Sequence, residues 1–83
     1  MEQTQIFDKV VGLIAPFAKN QEEASSMKNE TKILDDLGVN SARLVDIVLA
    51  FEDEFDIEVD DEAADEIMTI GDAVTLISKE LKA

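Results

Sequence analysis

Ser41 is the side chain whose type and position most invite chemistry. It follows Asp35-Asp36-Leu37-Gly38-Val39-Asn40 and stands where a run of apolar residues at helical spacing begins. Asn40 already offers a side-chain oxygen to cap that helix, so the Ser41 hydroxyl is not needed for the cap. A hydroxyl at a helix N-terminus, exposed and beside a loop, is well placed to bear a phosphodiester. Free backbone N–H groups and the positive end of the helix dipole favour an anion there. A serine near a helix start is also common without any function, and both readings stand on these residues alone.

The rest of the inventory excludes more than it offers. The 83 residues include no Cys, no His, no Trp and no Tyr. Without Cys or His there is no Cys–His pair, no Ser–His–Asp triad and no soft-ligand zinc site. With twenty acidic side chains to draw on, paired carboxylates for acid–base work can be assembled anywhere and so carry no signal. The acidic run Asp56-Ile57-Glu58-Val59-Asp60-Asp61 invites comparison with an EF-hand loop, which turns on a glycine at its sixth position and ends on a bidentate Glu at its twelfth. Counting from Asp56, those places hold Asp61 and Ile67, so the motif fails at the turn and at the last ligand. No metal site is expected beyond loose divalent binding by the acidic surface, and no catalytic residue.

The formal charge is −13, from seven cations against twenty anions. A basic surface for nucleic acid is excluded, and basic protein surfaces are the natural partners. The charge is unevenly placed: residues 35–66 hold thirteen acids and one cation, Arg43, whereas the rest holds seven acids and six cations. A charge run is usually a solvated face, yet crowding it around one helix, against its own repulsion, points to docking. A hydrophobic content of 46% separates the chain from disordered acidic tails. No run is apolar enough for a membrane span or a signal peptide, so the expectation is a monomeric cytoplasmic protein of one domain over residues 1–83.

The elements that must position Ser41 follow from the apolar periodicity. Over residues 3–17, Ile6, Val10, Leu13, Ile14 and Phe17 recur at helical spacing, and Pro16 predicts an end or kink near Ala15. Residues 19–30 read as a long loop, with Ile33, Leu34 and Leu37 as its apolar anchors. From Asn40 a second helix carries Leu44, Val45, Ile47, Val48, Phe51 and Phe55 on one broad face. Asp60 or Asp61 caps a brief helix running to Glu66 or Ile67. Thr69, with Asp72 three residues on, opens a last helix with Ile70, Ala73, Val74, Ile77 and Leu81 inward, and Lys79 and Lys82 at its negative end. The fold class is all-α: a small four-helix bundle of three main helices and one short one, with a long loop between helices one and two.

The segment Leu37-Gly38-Val39-Asn40-Ser41 resembles the acyl carrier proteins, and the resemblance runs over residues 31–77. Val45-Asp46-Ile47-Val48, Phe51-Glu52-Asp53-Glu54-Phe55 and Thr69-Ile70-Gly71-Asp72-Ala73-Val74 look like that family's second helix and the start of its fourth. The resemblance implies a carrier without catalytic activity of its own, bearing 4′-phosphopantetheine on Ser41, transferred from coenzyme A by a separate phosphopantetheinyl transferase. Acyl groups then ride as thioesters to enzymes of fatty acid or specialised lipid synthesis. Where the family usually has Asp-Ser-Leu, this chain has Asn40-Ser41-Ala42, followed by Arg43 in place of an acid or neutral polar residue. These departures, with a longer loop near residues 24–29, imply a specialised carrier with a dedicated partner set. Asp46, Glu52, Asp53, Glu54 and Asp61, together with Arg43, form the expected docking face for enzymes with basic surfaces. A peptidyl, D-alanyl or polyketide carrier of the same fold, or an unmodified acidic interaction module, remains an alternative. The broad apolar stripe is core first, and is expected to admit an acyl chain between the second and last helices.

Overall fold

Three apolar stripes meet at one core in the computed structural model, which describes residues 2–82, with side chains through Leu81. Helix α1 (Gln3–Ile14) turns Ile6, Val10 and Ile14 fully inward, one every fourth residue. It ends one residue short of Ala15, where Pro16, lacking an N–H, shapes a single 3-10 turn over Ala15–Phe17. Helix α3 (Ser41–Phe55) buries Ile47, Val48, Phe51 and Phe55. Helix α5 (Ile70–Lys82) supplies Ile70, Ala73, Val74 and Ile77. Helix α1 lies against both, most extensively against α5. Between α3 and α5, helix α4 (Asp61–Asp65) is a short acidic piece that buries no residue completely.

The expected all-α bundle of three long helices and one short helix is present, together with one element that the periodicity does not predict. Within the long loop, α2 (Gln21–Ala24) makes a single helical turn, capped by Asn20, whose side chain accepts from the Glu23 N–H at 3.3 Å. Four residues are too few to display a helical period. The loop is stitched at two places. The Leu37 carbonyl accepts from the N–H groups of Lys19 and Asn20, at 2.9 and 3.1 Å, and Gly38 follows with φ +71°, a conformation that favours glycine. Further along, Lys32 and Thr69 form an antiparallel bridge, flanked by Ile33 N–H to Met68 C=O and Ile70 N–H to Thr31 C=O, both 3.0 Å. Gly71 donates to the Asn29 carbonyl at 2.9 Å, and a Cβ there would stand 3.1 Å from that oxygen, a tight contact that glycine relieves.

The caps follow the sequence closely. Asn40 caps α3, Asp60 caps α4 through the Ala63 N–H, and Thr69 and Asp72 exchange bonds at the start of α5. Three expected core residues are displaced outward. Ile33 and Leu37 are fully buried anchors, but Leu34 is 37% exposed; Val45 is 60% exposed and Leu81 37%. A stripe wide enough to include these residues exceeds the sector that neighbouring helices cover. The Lys82 side chain, expected beside the negative end of α5, lies outside the described residues.

Candidate functional site

Ser41 is the first residue of α3, and the chain before it is extended: Asn40 has φ −68° and ψ 142°. The Asn40 side-chain oxygen accepts from the Ala42 N–H at 2.9 Å, which closes the helix start without Ser41. The Ser41 side chain is exposed, and its hydroxyl enters no side-chain hydrogen bond among the described residues. No acid lies in the first turn of α3. The result is an unengaged hydroxyl at the positive end of a fifteen-residue helix.

That hydroxyl opens onto a cavity of about 580 Å³. Its floor is the face of α3 formed by Ser41, Leu44, Val45, Val48, Leu49 and Glu52, spaced so that all six share one side of the helix. At 1.5 Å rise per residue this face runs about 16 Å from the hydroxyl to Glu52. Val59, Ala64 and Ile67 form the opposing apolar wall, contributed by α4 and its flanks. Lys32 and Leu34, from the stitched loop, complete the lining. The rim is open to water and mixes exposed apolar side chains, Met68 65%, Val45 60% and Leu49 56% exposed, with the carboxylates of Asp35, Asp61 and Asp65.

The cavity therefore lies between α3 and α4, not between α3 and the last helix. No residue of α5 lines it, because α5 is pressed against α1 on the far side of the core. Val59, Ala64, Ile67, Met68 and Lys32 escaped notice as site residues. They come from a five-residue helix, two loop ends and a bridge, none long enough to show a period.

Among the residues expected to dock partners, the acids are in different states. Asp46 pairs with Arg43 at 3.3 Å, on adjacent turns of the same helix, and Glu54 pairs with Lys9 of α1 at 3.1 Å. Glu52 is half-buried, and one of its oxygens accepts from the Val59 N–H at 3.1 Å, tying the end of α3 to the strap before α4. Asp53 and Asp61 are exposed and take part in no ion pair among the described residues. Arg43, two residues past Ser41, faces away from the hydroxyl and outside the cavity lining.

Residues 8–77 match the family model described as "Phosphopantetheine attachment site". The chain belongs to the acyl carrier protein family. It is 43% identical over 77 residues to the acyl carrier protein of Thermotoga maritima, covering 93% of each chain. An acyl carrier protein from Picosynechococcus is 37% identical over 79 residues, covering 95% of each. In three dimensions it superposes on the acyl carrier protein of Enterococcus faecalis with a TM-score of 0.79 and 34% identity, over 96% of this chain and 99% of the other. The cofactor of this acyl carrier protein is covalent 4′-phosphopantetheine. The geometry fits such a group: a free hydroxyl for attachment, with a long apolar cavity beginning beside it. Its role is to carry groups between partner enzymes, and no described helix is long and apolar enough to cross a membrane.

Proposed function

We propose that Ser41 is the attachment residue, and that the chain is a non-catalytic shuttle for acyl thioesters in fatty acid or specialised lipid synthesis. The observation that carries this reading is the Ser41 hydroxyl, free of the helix cap and open to the cavity. In the loading step the Ser41 oxygen forms a bond to the phosphorus next to the pantetheine of coenzyme A. The diphosphate link breaks, the nucleotide leaves, and the transferase takes up the hydroxyl proton. When bound, the arm supplies the thiol that holds the acyl group, which a cysteine-free chain lacks.

The protein's own contribution is shelter and steering. Leu44, Val48, Val59, Ala64 and Ile67 offer an apolar lining to a cargo chain, worth about 0.8 kcal/mol per buried methylene. Asp61 at the cavity and Asp53 on α3, neither in an ion pair among the described residues, attract basic partner surfaces, with Glu52, Glu54 and Asp46 adding to the field through weak, exposed or single contacts. Arg43 partly offsets Asp46, so the first three turns of α3 meet a partner chiefly through Val45 and Leu49. Copies of a chain with charge −13 repel each other, which supports a monomer, and residues 1–83 act as one carrier domain in the cytoplasm.

Incubation with coenzyme A and a promiscuous phosphopantetheinyl transferase, followed by intact mass spectrometry, tests the reading. The wild type gains one phosphopantetheine, and Ser41→Ala gains none while keeping its helical circular dichroism. Modification of Ser41→Ala, or a wild type refused by several transferases, overturns it.

A further inference from the structure

The two walls of the cavity are tied together by one side chain. On α3 the lining runs from Ser41 to Glu52 and stops there, about 16 Å further along the axis. The opposing wall begins at Val59, whose N–H donates to the Glu52 carboxylate at 3.1 Å. Glu52 and Val59 therefore meet at the end of the α3 face remote from Ser41. The other end of that wall is fixed independently. Met68 accepts from the Ile33 N–H at 3.0 Å and donates to the Asp72 carboxylate at 3.1 Å. Between these two ties lies α4, which buries no residue completely.

Glu52 also holds the strap through its backbone. Its carbonyl accepts from the N–H groups of Asp56 and Ile57, where α3 ends with Asp56 at φ +54°. Those bonds do not depend on the side chain at position 52, and Ile57 packs against the core. Truncating Glu52 thus removes the bond to Val59 and leaves the end of α3 in place. An apolar tail cannot replace a carboxylate as the acceptor for that N–H, and pushing past it would leave the polar groups unpaired. We propose that Glu52 is a specificity-determining residue, its bond to Val59 closing the far end of the cavity and setting the longest acyl chain that the carrier shelters. Methylenes are buried against Leu44, Val48 and Ala64 until the tail reaches this tie, and further ones remain in water. This inference deepens the proposed function and rests on it, both for attachment at Ser41 and for shelter of the cargo.

The test uses the full chain loaded with straight saturated acyl groups of increasing even length. A transferase loads each from the matching acyl coenzyme A, peptide mapping locates the arm, and only fully loaded protein is melted. Each variant is referred to its own form with an empty arm, so a change in basal stability drops out. In the wild type the melting temperature rises with each pair of carbons and then levels off. In Glu52→Ala the plateau moves to chains longer by about two carbons or more, because added methylenes are still being buried. Glu52→Gln keeps an oxygen that can accept from Val59, and keeps the wild-type plateau. Exchange of the Val59 amide hydrogen quickens several-fold in Glu52→Ala and stays near the wild-type rate in Glu52→Gln. A plateau unmoved in Glu52→Ala, or moved equally in Glu52→Gln, overturns this inference alone, and so does shelter lost at every length in Glu52→Ala. A wild type that gains nothing at any length overturns cargo shelter, and an arm mapped away from Ser41 overturns the attachment reading; this inference falls with either.

Discussion

The two sides of the bundle obey different rules. On one side α1 and α5 close tightly: Ile6, Val10, Ile14, Ile70, Ala73 and Ile77 are all fully buried. On the other, α3 faces α4 across a cavity of about 580 Å³, α4 buries nothing completely, and large apolar side chains stand in water at the rim. Charge divides in the same way, thirteen acids against one cation in residues 35–66, near balance elsewhere. The fully buried residues of α1 and α5 stand apart from the cavity, which shares only Val48 and Ile67 with the buried core. The closed side contributes the burial that lets the other side remain open and self-repelling.

Truncation of the closed side should have the largest effect. Ile77→Ala removes a fully buried side chain and is expected to lower stability by about 2–5 kcal/mol, a large share of what a domain this size possesses. Val45→Ala, on the rim, should change stability by no more than about 0.5 kcal/mol while slowing transfer to partners. Urea unfolding of both variants decides it, and equal losses would erase the distinction between the sides.

A smaller effect is expected at the start of α3. Asn40→Ala removes the cap beside Ser41 and should cost about 1 kcal/mol. Asn40→Asp keeps the capping oxygen and adds a charge favoured by the helix dipole, so it should be neutral or stabilising by up to about 1 kcal/mol. Thermal melts of the pair read this directly. A large loss in Asn40→Asp would mean that the uncharged amide is needed there for more than capping.

The smallest effect concerns charge. Screening should favour the acidic side, so the melting temperature is expected to rise by a few degrees as sodium chloride increases. Asp53→Lys with Asp61→Lys should slow association with basic partners, measured by stopped-flow, by several-fold at low salt. Glu22→Lys with Glu30→Lys, an equal change of net charge outside the acidic block, should do much less. If both pairs behave alike, the acids act as a diffuse field and not as a local docking surface.

The sequence made the closed side more legible than the open one. Long amphipathic helices advertise themselves through Ile6, Val10, Ile14 and Ile70, Ala73, Ile77, and their caps through Asn40, Thr69 and Asp72. Ser41 stood out for the same reason, as a hydroxyl left over once its helix had a cap. The cavity was harder to read because its walls come from pieces shorter than one period, and because periodicity marks a stripe without saying how much of it another helix covers. Leu34 and Val45, expected inside, became rim. Lys32 has no pattern around it; only the structure shows its bridge to Thr69 and its place in the cavity lining.

The pairing of α1 with α5 also has a consequence in time. A ribosome releases Ser41 and the rest of α3 well before Ile70, Ala73 and Ile77, and α1 waits for those residues to cover its face. A helix of fifteen residues is marginal in water without packing, and the ties from Asn29, Thr31 and Ile33 to residues 68–71 likewise have no partners until the last helix begins to emerge. A nascent chain stopped at residue 67 would hold Ser41 on a fraying segment, without the burial that α5 supplies. Under the attachment reading, Ser41 would then be loaded after the chain has closed and not while it is being made.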